Sequence, residues 1–324
     1  MIIAVMISNP QFNIWNISYM TSHRAKMLKV CFKRDTLHKR RWLFGWKWAL
    51  LIRGDSSLFL WLRTAVANQP GPIYLKTLWK CALFGIWCEA IPCQVNFLMD
   101  ENAQSGKGAN STISYVYYYF ERHGLGETKA QLHADNCGAQ NKNSAFLWYH
   151  LWQVLNGLHH TINYNFLLPG NTKFAPDWCF RLVKQKTWRM FTSSFFDIAW
   201  VVKESTSVNV AELAGLLNAT VHIQTYDWVT YLGQYFKKTP EIKTYYHFRF
   251  NKECSRNVVY KQFWDSEKRW LILKTNNLPK PGQLPTIVNP QGISWGRAEY
   301  LFMEITEFWR DETEDLVAPQ VTEQ

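Results

Sequence analysis

The chain has 324 residues, 47% of them apolar and 16% aromatic, with a formal charge of +11. That composition excludes a disordered polymer and supplies core for one large or two medium domains. Residues 1–53 hold ten Lys or Arg against the single acid Asp35, a net +9, so residues 54–324 carry only +2 and do not imply a polyanion partner by charge alone.

The basic arm "HRAKMLKVCFKRDTLHKRRWLFGWKWALLIR" interleaves Lys and Arg with Trp and Phe. Such a mixture either holds phosphates and bases or forms a solvated extension. The first twenty-two residues lack a basic n-region and a small-residue cleavage site, so secretion is not expected. The apolar window "WLFGWKWALLIRGDSSLFLWL" is interrupted by Lys47, Arg53 and Asp55, and a membrane span is not expected there. Seven cysteines without a CxxC pair signal neither a disulfide framework nor a zinc site. The expected compartment is therefore reducing, nuclear or cytoplasmic, where the sequons at Asn16, Asn110 and Asn218 have no glycan significance.

From about Ile73 the segments "PIYLKT", "CALFGIWC" and "QVNFLMD" read as an antiparallel meander. "GANSTISYVYYYFERHG" reads as a helix that stops at Gly124. The run "AQLHAD", "NSAFLWYHLWQVLNG", "TINYNFLLPG" then has strand, helix, strand order, a unit with parallel strands and a right-handed crossover. A helix is predicted from about Asp177, and further helices in "SFFDIAWVVKEST" and "YDWVTYLGQYF". A hairpin of "YYHFRF" with "VVYKQFW" follows, then the Pro-rich connector "LPKPGQLPTIVNPQG", a helix "WGRAEYLFMEITEFW" and an acidic tail. The expected fold class is α/β, a mixed sheet of antiparallel meander plus parallel βαβ unit flanked by helices. Three parts are expected: an arm at 1–53, the main domain at 54–240, and a smaller α+β extension at 241–324.

Chemistry concentrates in "LHADNCGAQNKN", where a strand stops on a carboxylate and a polar loop follows. In open α/β sheets ligands bind beyond the carboxyl ends of parallel strands, so Asp135 and Asp177 are expected to converge there. Converging carboxylates need a cation, which makes both candidate ligands of Mg²⁺ or Mn²⁺ and candidate catalytic groups in phosphoryl transfer. Asp100 and Glu101, at the end of the third meander strand, are the acids expected to complete the cluster. Asn136, Gln140 and Asn141 are expected to shape the site behind the acid, with Lys142 as counter-charge. The bland readings are that Asp135 closes an Asx-turn and that Asp177 answers a helix dipole. "HAD" is mis-spaced for a kinase loop, and "SGKGANST" lacks the first glycine and the hydroxyl residue of a phosphate loop. His133, Cys137, His159 and His160 have no metal-ligand spacing.

At "LHADNCGAQNKN", "LLPGNTKFAPDWCF" and "DIAWVVKESTSVNVAEL" the chain resembles an uncharacterised domain family carried by transposon-derived proteins of animal genomes. That family reads HADNCxGQNKN, then GHTKFxPDxCFG, then a helix beginning DI. The resemblance implies a ribonuclease H-like fold of the DDE transposase and integrase kind, with the second acid at Asp135 and the third at Asp177. It also implies a DNA or RNA partner, with Lys142, Lys173, Lys184 and Lys186 as candidate phosphate contacts; no small-molecule cofactor is expected. The chain departs from the pattern at Asn171, where the family has His, and at Arg181, where it has Gly. The first acid should lie in a "FDYAQ"-like strand; the matching stretch here offers Asp55 among different neighbours, and the arm before it looks foreign to the family. The expected function is divalent-metal-dependent polynucleotidyl transfer or cleavage. The alternatives are an inactive descendant that still binds nucleic acid or protein, and a remnant without a biochemical role.

Overall fold

In the computed structural model the described residues are 50–59 (backbone only), 76–124, 126–167, 175–190, 192, 194–216, 218–254, 256–262, 267–274 and 282–308. Nine strands form one sheet: β1 Leu50–Phe59, β2 Lys80–Cys88, β3 Cys93–Asp100, β4 Lys129–Ala134, β5 Thr161–Phe166, β6 Asn209–Gly215, β7 His247–Asn251, β8 Asn257–Lys261 and β9 Lys268–Leu271. Their order across the sheet is β6-β3-β2-β1-β4-β5-β7-β8-β9. β1, β2 and β3 pair antiparallel in turn, while β4 lies parallel to β1 and β5 parallel to β4. The predicted meander therefore exists, but its first strand is β1 rather than "PIYLKT", most of which lies outside the described residues. β1 runs across the 53/54 position at which the arm was expected to end. The C-terminal hairpin β7–β8 joins the same sheet through β5 and is not a separate layer.

Six helices are described: α1 Ala109–His123, α2 Ser144–Leu155, α3 Ala175–Thr187, α4 Phe195–Ser205, α5 Trp228–Gly233 and α6 Trp295–Ile305. Helix α1 stops where the Gly124 N–H turns back to the carbonyls of Tyr119 and Phe120. Helix α4 starts in a capping box, the Ser194 hydroxyl accepting from the Asp197 N–H and the Asp197 carboxylate from the Ser194 N–H. Helix α2 is buried from Ala145 to Val154, a wider apolar face than a one-sided stripe, because it lies between the sheet and α5.

Alternation fixes which side of each strand faces which helices. In β5 the pattern puts Ile162, Tyr164 and Phe166 inward, on the side of α1, α2 and α5, with Phe97, Phe146 and Trp228 at its centre. The other side of β2 and β3 offers Cys81, Leu83 and Leu98 to a second core with Phe180 of α3, Phe195 and Val201 of α4, and Leu301 of α6. Each such fully buried large side chain contributes roughly 1.5–3 kcal/mol, so removing either layer would unfold the sheet. No described helix is long and apolar enough to cross a membrane.

Candidate functional site

The chain leaves β1 for β2 on one side of the sheet and leaves β4 through α2 for β5 on the other. The boundary between β1 and β4 is thus the point where strand order reverses, the usual crevice for a ligand. Only Leu50 with Leu132 and Leu51 with His133 pair across it, and β1 continues for eight further residues beside the end of β4. Asp135 is the first residue past β4. Extending the register puts Arg53 beside Asp135 and Asp55 two positions farther on, about 8 Å between backbones from strand spacing and rise.

The loop after Asp135 is built to hold that residue. The Cys137 carbonyl accepts from the amides of Gln140, Asn141 and Lys142, at 3.3, 2.8 and 3.0 Å, which folds "CGAQNK" into a tight turn. Asp135 Oδ1 accepts from the Cys137 N–H and from Asn141 Nδ2, both at 3.0 Å. The Asx-turn reading is therefore correct as geometry, and a second amide fixes the same oxygen. Asn141 is fully buried, and Tyr164 of β5 donates its hydroxyl to the Asn141 carbonyl at 3.2 Å. Asn143 caps α2 by accepting from the Phe146 N–H at 3.0 Å. Gln140 reaches the Lys107 carbonyl at 3.2 Å, tying the turn to the segment before α1.

Lys142 does not project to solvent. It is 4% exposed, donates to Asn136 Oδ1 at 2.7 Å, and lies 4.9 and 4.2 Å from the ring centres of Phe166 and Tyr246. Burial pushes its ammonium down to about 8. Asn136 in turn donates to the Leu167 carbonyl. Expected as a counter-charge behind the acid, Lys142 instead ties the loop to the end of β5 and to the residue before β7. Nothing local in the sequence names Phe166 or Tyr246 as its partners, because both lie far along the chain.

The acids at the end of β3 are separate from this crevice. From the register, Asp100 lies four residues along and three strands across from Asp135, about 20 Å away. It is fully buried, its Oδ2 accepting from Trp79 Nε1 at 2.7 Å and its Oδ1 from the Asn102 N–H at 2.8 Å. Burial pushes its carboxyl up to about 6. Glu101 accepts from Arg297 of α6 at 3.1 and 3.0 Å and from the Lys80 N–H at 2.9 Å. Asp100 and Glu101 therefore anchor Trp79 and α6 and do not complete a cluster with Asp135. The Trp79 and Arg297 partners are distant in sequence and carry no motif, which is why this role was not legible.

Asp177 sits partly buried in the first turn of α3, as predicted. Helix α3 packs on β1 and β2, and it comes so close that a Cβ at Gly85 would stand 2.7 Å from Phe180 Cζ. Gly85 of β2 pairs with Arg53 of β1, so Phe180 of α3 lies over the row of the sheet that leads to Asp135. Lys184 is exposed and Lys186 half-buried on the same helix. Asn171 and Lys173 lie outside the described residues, as does the side chain of Asp55.

Among the described residues no group of three or more His, Cys, Asp or Glu is arranged to hold a metal ion. The described donor at the crevice is the Asp135 carboxylate, a hard oxygen ligand of the kind a divalent cation with several waters takes. Asp135 would hold such an ion through a carboxylate oriented by two N–H donors. The domain family described as Domain of unknown function (DUF7869) matches residues 76–267. No curated protein and no solved structure matches the chain.

Proposed function

The chain belongs to the DUF7869 family, and from that premise we propose that its sheet is a ribonuclease H-like scaffold for divalent-metal-dependent cleavage or transfer of polynucleotide phosphodiesters. The observation that carries the reading is the position of Asp135 at the strand-order reversal between β1 and β4. The central order β3-β2-β1-β4-β5, with helices after β3, β4 and β5, supports the transposase-like scaffold implied by the sequence motifs. The transposon ancestry rests on those motifs alone.

Asp135 and Asp177 would hold Mg²⁺ or Mn²⁺. A bound ion would supply Lewis acidity at the scissile phosphate and a water acidic enough to give hydroxide near neutral pH. Asp135 presents its carboxylate in one orientation because Asn141 and the Cys137 N–H fix Oδ1. Lys142 and Asn136 hold the loop against the end of β5. Preorganisation of this kind is where such a site obtains much of its rate.

The test is incubation of the full chain with end-labelled single- and double-stranded oligonucleotides in Mn²⁺ or Mg²⁺, beside Asp135→Asn. Cleavage or strand transfer that the substitution abolishes is the expected result. Product formation that persists unchanged in Asp135→Asn would sink the assignment. A second reading, an inactive descendant that keeps polynucleotide binding, draws support from Asp135 Oδ1 closing its own turn. It predicts binding with no product in either metal.

A further inference from the structure

We infer that the outer surface of α3 and α4 is a binding platform for unpaired polynucleotide, on which bases stack against exposed tryptophans. The two helices pack against each other as one layer, α3 on β1 and β2 and α4 on β3 and β6. What each leaves uncovered therefore faces the same way, about 10 Å apart. Trp178 on α3, Trp188 just past its end, and Phe196 and Trp200 on α4 are 50, 53, 54 and 55% exposed. Four large aromatics half in water within 23 residues, on two helices packed side by side, concentrate apolar exposure on one layer of the fold.

The periodicity shows that these rings are outward by placement. Cys179, Phe180 and Val183 of α3 and Ile198, Val201 and Val202 of α4 take the inward positions. Phe196, Trp200 and Lys203 fall at i, i+4 and i+7, one face of α4, and Trp178 and Arg181 stand one turn apart on α3. The exposed charged residues from 175 to 205 are Arg181, Lys184, Arg189 and Lys203 against one acid, Glu204. Asp197, the other acid of α4, is spent in the capping box.

Charge selects among occupants. A second copy docking through the same surface would set these cations against their own counterparts, a like-charge juxtaposition that disfavours a twofold contact. A polyanion with flat π faces meets both features at once, its phosphates neutralised by Lys and Arg and its bases accepted by the rings. A single strand is favoured over a duplex because stacking on a side chain requires an unpaired base. The platform begins at Trp178, the residue after Asp177, on the helix that packs against β1 and β2. The inference deepens the proposed function and takes the ligand class from it, but it needs neither a metal nor turnover.

The experiment is fluorescence anisotropy of labelled oligo-dT and of a duplex of equal length with the full chain, without divalent metal. Wild type is expected to bind the single strand more tightly. Trp178→Ala/Trp200→Ala should weaken it at least about tenfold, and Trp178→Phe/Trp200→Phe should restore most of the affinity. Arg181→Glu/Lys203→Glu should flatten the dependence of log K on log salt by about 1.4, since each phosphate no longer neutralised by the protein lowers that slope by about 0.7. Circular dichroism and thermal unfolding confirm that these surface variants fold. Binding unchanged in all three variants, or a wild-type dimer that Trp178→Ala/Trp200→Ala dissociates, would overturn the platform. Asp135→Asn separates the two readings, since it should abolish product but bind oligo-dT as wild type does.

Discussion

Two acidic corners end strands of the same sheet, and they differ in everything but residue type. At the end of β3, Asp100 is sealed under Trp79 and Glu101 is gripped by Arg297. At the end of β4, Asp135 stays partly exposed, held by amides of its own loop and bordering a split between strands. A carboxylate at a strand terminus is thus not by itself a site. What decides is whether the next layer closes over it, and at β3 that layer is α6.

Breaking the comparison at its widest point means exchanging the two acids for amides. Asp135→Asn should lower metal-dependent product formation at least about a thousandfold, because groups of one catalytic unit fail together. Asp100→Asn should leave turnover within a few-fold, read in the same oligonucleotide assay. Equal losses in both would erase the distinction.

The pH dependence of stability sharpens it next. The Asp100 carboxyl rises from an ordinary 3.8 to about 6 in the fold, so the folded state binds more protons between those values. Its contribution is present below about pH 4 and is lost as pH rises through 6. Relative to Asp100→Asn, the wild type should lose about 3 kcal/mol of unfolding free energy between pH 4 and 7, taking 1.36 kcal/mol per unit. Parallel denaturant profiles for the two proteins would contradict this.

Arg297→Ala comes third. It removes both hydrogen bonds to Glu101 and the donations to the carbonyls of Thr77 and Leu78, at 2.8 Å each. With both partners mostly buried, the expected cost is about 2 kcal/mol in chemical unfolding, with α6 loosened first. Asn143→Ala, at the other corner, should cost about 1 kcal/mol by removing the cap of α2, and Asn143→Asp should recover it. A cost at Asn143 greater than at Arg297 would reverse the view of which corner is structural.

Much of the main domain was legible because its pattern is local. β4 and β5 alternate more and less buried residues one by one, and α4 carries its capping box in sequence. β1 was not, since Arg53, Gly54, Asp55, Ser56 and Ser57 interrupt a strand whose central place depends on partners about 30 and 80 residues away. β6 and β9 were missed for another reason: β6 pairs on one side only, and β9 has just four residues. At the site, the loop motif contains Asn141, which bonds to Asp135, while Asn136 and Gln140 turn to the carbonyls of Leu167 and Lys107. Lys142 defeated the reading because its aromatic partners lie on β5 and before β7, where no spacing rule reaches.

The central position of β1 also sets a schedule for synthesis. β2 can zip onto it as soon as Cys88 is made, but its other edge waits for β4, which starts about 40 residues later. At about 5–20 residues per second that edge stays open on the ribosome for roughly 2–8 seconds. During that interval the nascent chain exposes an unpaired template for any other strand. Yield in cells should therefore respond to translation speed between Glu89 and Thr128 more than to changes after Lys261.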